Sequence, residues 1–107
     1  AQPRNVIGGH MVSALVGVLA QNLAGVDPWL AAALAVALAV AGMHVTATLH
    51  PPGGATALLA VVGSPELKSF GFEFVLYPVG VSVVALVVVG VLYNNLCARR
   101  RYPLNWW

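Results

Sequence analysis

The chain has 107 residues, 60% of them hydrophobic and 7% charged, and a mean hydropathy of +0.87, which excludes an ordinary soluble domain and indicates a bilayer protein. The net charge of +2 comes mainly from the adjacent arginines Arg99–Arg101, so it does not indicate nucleic-acid binding. The single cysteine, Cys97, excludes an internal disulfide and a cysteine-based metal cluster.

Two apolar segments occupy the first half of the chain. Segment one runs from about Val6 to Leu23 and ends at the predicted turn Ala24–Asp27. Segment two opens with Asp27 as N-cap and Pro28 in the first turn, which is typical of a helix start, and continues to about Val45.

Two more segments follow. Segment three, from Pro51 to about Val62, would be only about 18 Å long as a helix, too short to cross a ~30 Å hydrocarbon core alone. Segment four, about Phe72 to Leu96, is long enough. We therefore expect an all-α, polytopic transmembrane bundle with about three full spans and one short broken helix. The aromatic residues expected at the membrane interfaces are Trp29, Tyr77, Tyr93, Trp106 and Trp107.

The segment His50–Thr56 predicts a break between segments two and three. Pro51 and Pro52 cannot continue a helix before them, but both fit the first turn of a new one. At membrane depth, a broken backbone is tolerated only where it is buried in protein or lines a wet cavity, and transporters place substrate sites at such breaks. A loop at the membrane surface is the alternative interpretation.

The arginines predict the topology. Arg99–Arg101 should lie on the cytoplasmic side, or its organelle equivalent, of a bacterial inner membrane or an organelle membrane, and Arg4 is most easily placed on the same side. That arrangement requires an even number of crossings. Segment three must then cross as well, with Thr46–His50 supplying the missing length. The alternative is a re-entrant segment three that returns to its own side.

Small and polar residues share one face of segment one. Gly9, Ser13 and Gly17 form a small-xxx-small ladder that favours close helix packing in lipid. His10 and Gln21 lie on the same face and need a polar partner or water.

The three histidines, His10, His44 and His50, are the candidate ligands or proton carriers. They do not have the spacing of a known metal motif, and no carboxylate is close to them in sequence. The chain also lacks a nucleophile–base pair and a phosphate-binding loop. We therefore expect no metal, no cofactor and no enzymatic activity.

The restart of the helix at Pro51 is the predicted anion site. Amides in the first turn of a helix have no carbonyl four residues back, and they lie at the positive end of the helix dipole. The glycines Gly53 and Gly54 leave this backbone uncovered, so a small anion can approach it. Thr56 adds a hydroxyl, and His50, when protonated, adds a positive charge. His10 and Arg4 are expected to assist.

Two motifs, Gln2–His10 and His50–Ala57, resemble those of the HPP family of integral membrane proteins, and the resemblance covers essentially the whole chain as a single domain, residues 1–107. It implies a bacterial, cyanobacterial or plastid membrane protein, and nitrite transport, with which plant plastid members are associated. Family members usually carry another hydrophobic helix upstream, so the chain is expected to be a piece of a longer protein. The expected structural motif residues are Pro3, Asn5, Gly9, Ser13, Gly17, Pro51 and Pro52.

Two classes of function remain. One is a small-anion transporter or channel, which at this size requires a homo-oligomer or the missing helix. The other is a non-transporting subunit that packs into a larger membrane complex. The broken helix favours the first class, and the small size favours the second.

Overall fold

The structure, a computed structural model, describes residues 1–23 and 26–106 of the chain. Within these ranges the chain is helix and connecting loop without strands, so the all-α prediction is confirmed. Ala24 and Gly25 of the predicted turn, and Trp107 among the predicted interface aromatics, lie outside the described residues.

Five α-helices, a kinked helical stretch and a π-helical turn make up most of the described chain. The helices are α1 (Pro3–Gln21), α2 (Pro28–Val45), α3 (Pro52–Val62), α4 (Pro65–Ser69) and α5 (Val81–Leu92). The kinked stretch Val75–Gly80 and the π-helical turn Tyr93–Cys97 flank α5, and together these three form the C-terminal span, Val75–Cys97. Each of α1 to α4 has a proline in its first turn, where the missing amide donor costs little.

The predicted start and end of α2 are both confirmed. The carboxylate of Asp27 accepts hydrogen bonds from the amides of Trp29 at 2.9 Å and Leu30 at 3.3 Å, so it caps the helix. The helix ends at Val45, and helix resumes at Pro52 with Pro51 as its N-cap. The predicted restart is therefore correct to within one residue.

The first three helices alternate in direction. A Cβ atom on Gly42, late in α2, would lie 2.9 Å from Val12, and Ala31 at the start of α2 shares an apolar cluster with Ala20, so α2 runs antiparallel to α1. Helix α3 then runs parallel to α1. Its beginning lies beside Gly9, and the Nε2 atom of Gln21 donates to the carbonyl of Lys68, just beyond α3, at 3.2 Å.

The C-terminal span runs antiparallel to α1 and brings the two described ends of the chain together. Gly80 lies near the sulfur atom of Met11. Further along the chain, the Tyr102 hydroxyl donates to the carbonyl of Ala1 at 3.0 Å. The N-terminal end of α1 and the basic tail therefore lie at the same end of the bundle.

A close approach of α1 and α3 forms the centre of the bundle. The ladder Gly9, Ser13 and Gly17 faces α3, where a Cβ atom on Gly17 would lie 2.7 Å from the carbonyl oxygen of Ala57. The approach is tight from the other side too, because a Cβ atom on Gly53 would lie 2.9 Å from the Gly9 carbonyl oxygen and from Ser13 Oγ. The predicted small-residue ladder thus packs against a helix of the same chain.

The prediction of three full spans is confirmed for two of them only. Among the described residues, two helical segments are long and apolar enough to cross a membrane: Pro28–Val45, with a mean hydropathy of 1.8, and Val75–Cys97, with 2.6. Helix α1 has 19 residues, but polar side chains including Arg4, Asn5 and His10 lower its hydropathy.

The region predicted as segment four also differs from one regular helix. A short helix, α4, precedes it, and helical residues begin at Glu73, within one residue of the predicted start and directly before the span Val75–Cys97. The span is kinked at Tyr77, whose backbone is extended with φ −138° and ψ 124°, directly before Pro78. The kink has an identifiable cause, because proline removes an amide donor and disfavours helix at the residue before it.

Replacing Gly17 by alanine tests the close approach of α1 and α3. The new methyl group would meet Ala57 and Ala60 at 2.7 Å, so we expect Gly17→Ala to destabilise the fold by about 1–3 kcal/mol. The matched control is Gly90→Ala in α5, where the nearest atom, in the Tyr102 ring, is 3.7 Å away. Both substitutions gain about 1 kcal/mol of helix propensity, so thermal unfolding in detergent isolates the steric difference. Equal stabilities would contradict the packing.

Candidate functional site

The polar start of α1 fastens the break between α2 and α3. The side-chain amide of Asn5 donates to the carbonyl of Leu49 at 3.0 Å, immediately before His50. The guanidinium of Arg4 donates to the carbonyl of Thr46, just beyond the end of α2, at 3.4 Å. Both contacts satisfy carbonyl groups that a broken helix leaves without amide partners.

The break itself is ordered by local hydrogen bonds. Ala47 adopts a left-handed conformation with φ 52°, and the amide of Thr48 reaches back to the carbonyl of Met43 at 2.9 Å. The hydroxyls of Thr46 and Thr48 lie 2.7 Å apart. A Cβ atom on Gly8 would lie 2.5 Å from the Thr48 side chain, so glycine lets the break pass directly over α1.

Three of the predicted site residues meet where α3 begins. The Nδ1 atom of His10, on α1, lies 2.7 Å from the hydroxyl oxygen of Thr56, on α3. The ring of His50, from the break, lies against His10 with ring centroids 5.1 Å apart and planes inclined by 59°. Both imidazoles are half-buried, and Thr56 is buried. The result is a polar cluster, His10–His50–Thr56, made by three separate parts of the chain.

Gly53 and Gly54 have a different geometry from the one expected. Their amides are not free, because Gly53 N donates to the carbonyl of His50 at 2.8 Å and Gly54 N to that of Pro51 at 2.9 Å. These bonds reach back three residues instead of four, which tightens the first turn. Gly53 faces α1, and a Cβ atom on Gly54 would face Val36 of α2 at 3.7 Å. The premise of two unpaired glycine amides is therefore wrong.

One polar atom at this crossing has no partner among the described residues. Ser13 is fully buried, and its Oγ atom makes no hydrogen bond there. It lies at the crossing of α1 and α3, opposite Gly53. Sequence reasoning identified Ser13 as a packing residue, and its small side chain does permit the close approach.

A cleft of about 270 Å³ opens beside the polar cluster, between α3 and the C-terminal span. Its polar lining residues are His10, Thr56 and Ser82, and its other lining residues are apolar: Leu59, Leu67, Phe74, Pro78, Val79, Val83 and Leu86. Sequence reasoning missed Ser82, although a lone serine in an apolar span is a visible signal. Gly54 and Pro51 line a separate cavity of about 390 Å³ on the α2 side.

The remaining predicted residues lie apart from the cluster or support it from outside. His44 is exposed, and its Nδ1 atom pairs with the carbonyl of Val40 on its own helix at 2.9 Å. Arg4 lies on α1 six positions before His10. Its guanidinium contacts the end of α2 instead of the polar cluster. In residues 1–23 and 26–106, no three His, Cys, Asp or Glu side chains come close enough to hold a metal ion.

The profile of a known family, described as the transmembrane region of HPP proteins, matches residues 1–103. The chain belongs to the HPP transmembrane family. The family resemblance of the two motifs is thereby confirmed. In this HPP chain the two motifs, Gln2–His10 and His50–Ala57, meet at the break. His10 of the first motif contacts His50 and Thr56 of the second, and Asn5 bonds to the carbonyl of Leu49, directly before His50.

Two curated relatives are proteins of Dictyostelium discoideum, both named transmembrane proteins. They are 43% and 42% identical to this chain over 110 residues, and the similarity covers the whole of it. The HPP chain spans about a third of the length of these relatives, 35% and 38%. No solved structure matches the chain. Family and relatives together identify a membrane protein.

A double-mutant cycle tests the contact between α1 and α3 at the polar cluster. Interhelical hydrogen bonds in membrane proteins contribute about 0.6 kcal/mol on average and at most about 1.7, so we expect a coupling energy in that range between His10→Ala and Thr56→Val. His44→Ala combined with Thr56→Val is the control, because the His44 side chain pairs with the Val40 carbonyl on its own helix. Unfolding free energies in detergent give both couplings. Additive effects in the first pair would contradict the hydrogen bond.

Proposed function

We propose that this HPP chain forms part of a transporter or channel for a small anion of the nitrite type, with the polar cluster His10–His50–Thr56 as its binding group. One observation carries the proposal. Three polar side chains from α1, the break and α3 converge within hydrogen-bond or ring-contact distance, and two of them line a cleft that is otherwise apolar.

The cluster has the chemistry that a small oxyanion requires. Imidazole N–H groups and a threonine hydroxyl donate hydrogen bonds, and a protonated His50 would add a charge-assisted one. Apolar surroundings strengthen such bonds, because few water molecules compete with the anion. In this proposal Gly53 and Gly54 contribute by tightening the first turn of α3, and Arg4 contributes positive potential near the break.

We propose a four-pass topology, in which α1 and α3 cross the membrane in addition to the two apolar spans Pro28–Val45 and Val75–Cys97. The parallel directions of α1 and α3, and the bond between Gln21 and the Lys68 carbonyl, support a crossing by α3 together with Thr46–Pro51. We propose that Arg4 and Arg99–Arg101 share the cytoplasmic side or its organelle equivalent, because the chain ends meet at one end of the bundle. If α3 were re-entrant, Lys68 would lie at the end of the bundle where α3 begins. Its bond to Gln21, at the far end of α1, favours the opposite end.

A complete path requires more than one copy or a larger assembly. The cleft lies between α3 and the C-terminal span and is open at the side. We propose a homo-oligomer within the bilayer that closes it. The accessory-subunit alternative is favoured by one observation, that this region accounts for only about a third of the length of the curated relatives.

Nitrite uptake by proteoliposomes containing the purified full-length protein tests the anion site. We expect His50→Ala and Thr56→Val to weaken apparent nitrite affinity by about 1–2 kcal/mol each, or roughly 5- to 30-fold, because each removes one donor to the anion. His44→Ala is the matched control for His50→Ala, since His44 is exposed and its side chain bonds on its own helix outside the cluster. Its uptake should equal that of the wild type.

Folding must be measured beside flux, because Thr56 also joins two helices. If well-folded His50→Ala and Thr56→Val proteins move nitrite at wild-type rates, the cluster has no part in transport. A defined stoichiometry within a larger native complex, without nitrite flux, would then favour the subunit function.

Cysteine labelling tests the topology. The exposed native Cys97 reports the arginine end, and Glu66→Cys in a Cys97→Ser background reports the other end, since Glu66 is fully exposed. An impermeant thiol reagent should reach the two positions from opposite sides of the membrane. Labelling of both positions from the same side would contradict the four-pass arrangement and favour a re-entrant α3.

A further inference from the structure

The basic tail is a folded loop at the end of the C-terminal span. The amide of Ala98 donates to the carbonyl of Tyr93 at 3.0 Å, and the amide of Arg100 to that of Asn94 at 2.7 Å. Arg99 sits between them in the left-handed region, with φ 48°. Glycine usually occupies this position at a helix end, so the chain places a charged side chain where glycine would be less strained.

One side chain closes this loop. The Oδ1 atom of Asn95 accepts from the amide of Tyr102 at 3.3 Å, and its Nδ2 atom donates to the Tyr102 carbonyl. The arginine loop, residues 96–101, is therefore held at both ends and carries Arg99, Arg100 and Arg101, all exposed.

The segment after the loop is fastened to the start of α1. The side-chain oxygen of Gln2 accepts from the amides of Leu104 at 3.1 Å and Asn105 at 3.3 Å. Trp106 then lines an apolar cavity with Ile7 and residues of α5, while 59% of it stays exposed. An exposed tryptophan beside arginines at a helix end is typical of the membrane interface.

Charge is divided between the two ends of the bundle. All four arginines, Arg4 and Arg99–Arg101, lie at the end where the chain termini meet. The three acidic residues lie toward the other end: Asp27 at the start of α2, and Glu66 and Glu73 beyond α3. Lys68 is the one lysine of the chain and lies with them. Four positive charges at one end and a net of two negative charges at the other account for the formal charge of +2.

We infer that the arginine loop is a binding site for the head groups of anionic phospholipids. Guanidinium groups bind phosphate oxygens through paired hydrogen bonds, and three exposed ones on a closed loop are pre-oriented for this. The phosphate of an anionic head group has no cation of its own, so its negative charge is available to bind the arginines. The phosphate of a zwitterionic head group is already neutralised by the cation of the same head group. The acids that would compete lie at the opposite end. This inference does not depend on the proposed transport function.

Quenching of tryptophan fluorescence by brominated lipid tests the site. The full-length protein, carrying Trp29→Phe and Trp107→Phe so that Trp106 is the one tryptophan left in this region, is reconstituted in phosphatidylcholine vesicles with 10% brominated phosphatidylglycerol or 10% brominated phosphatidylcholine. We expect stronger quenching of Trp106 by the anionic lipid, with a relative affinity of roughly fivefold per arginine. The triple variant Arg99→Gln/Arg100→Gln/Arg101→Gln should lose this preference, and Lys68→Gln should retain it.

Two further arms identify the source of the effect. Asn95→Ala keeps every arginine but opens the loop, so it should reduce the preference, and an unchanged preference would overturn the assignment to a folded site. Soluble glycerol phosphate at millimolar concentration should not compete with the lipid. Competition by it would indicate a site for a free phosphate compound instead. An equal response of wild type and triple variant to the two lipids would also overturn the inference.

Discussion

The close approach of α1 to α3 is the constraint on which the rest of this structure depends. Gly9, Ser13 and Gly17 on one helix face Gly53 and its neighbours on the other, and a single added methyl group at Gly17 would meet α3 at 2.7 Å. In lipid, helices gain little from hydrophobic burial, so packing of backbone against backbone carries much of their association. That contact fixes the depth of α3 along α1, and the depth decides that Thr56 lies opposite His10.

The break before α3 is a second constraint, and it is ordered from outside. Two prolines prevent a continuous helix, and the backbone carbonyls before them therefore lack amide partners and need other donors. Asn5 and Arg4 supply them from the start of α1. The two motifs on which the family resemblance rests are far apart in sequence, and they thus form one structural unit. Both hydrogen bonds are exposed, so the break lies at the arginine end of the bundle and is fastened there to the start of α1.

Local chemistry made much of this fold predictable, whereas features that depend on distant contacts were not. The Asp27 cap, the proline restart and the small-residue ladder each follow from a few neighbouring residues, and all three appear in the structure. The partner of the ladder could not be read from the sequence, because a small-residue face fits another copy as well as another helix. The amides of Gly53 and Gly54 were misjudged because a tightened first turn gives them partners three residues back. The cleft beside Thr56 depends on how the kinked C-terminal span packs, and no local pattern encodes that.

The energetics of the polar cluster bear on why it is present. A hydrogen bond between membrane helices is worth about 0.6 kcal/mol on average, less than the about 1–3 kcal/mol expected for one clashing methyl group at the glycine ladder. Loss of the His10–Thr56 hydrogen bond would therefore cost the fold less than a clash at the ladder would. Polar groups in an apolar setting also lose hydration, and two imidazoles in ring contact are a costly way to fill space that aliphatic side chains would fill as well. The stability that this cluster adds is therefore small, which supports the proposal that it binds a ligand at the adjacent cleft.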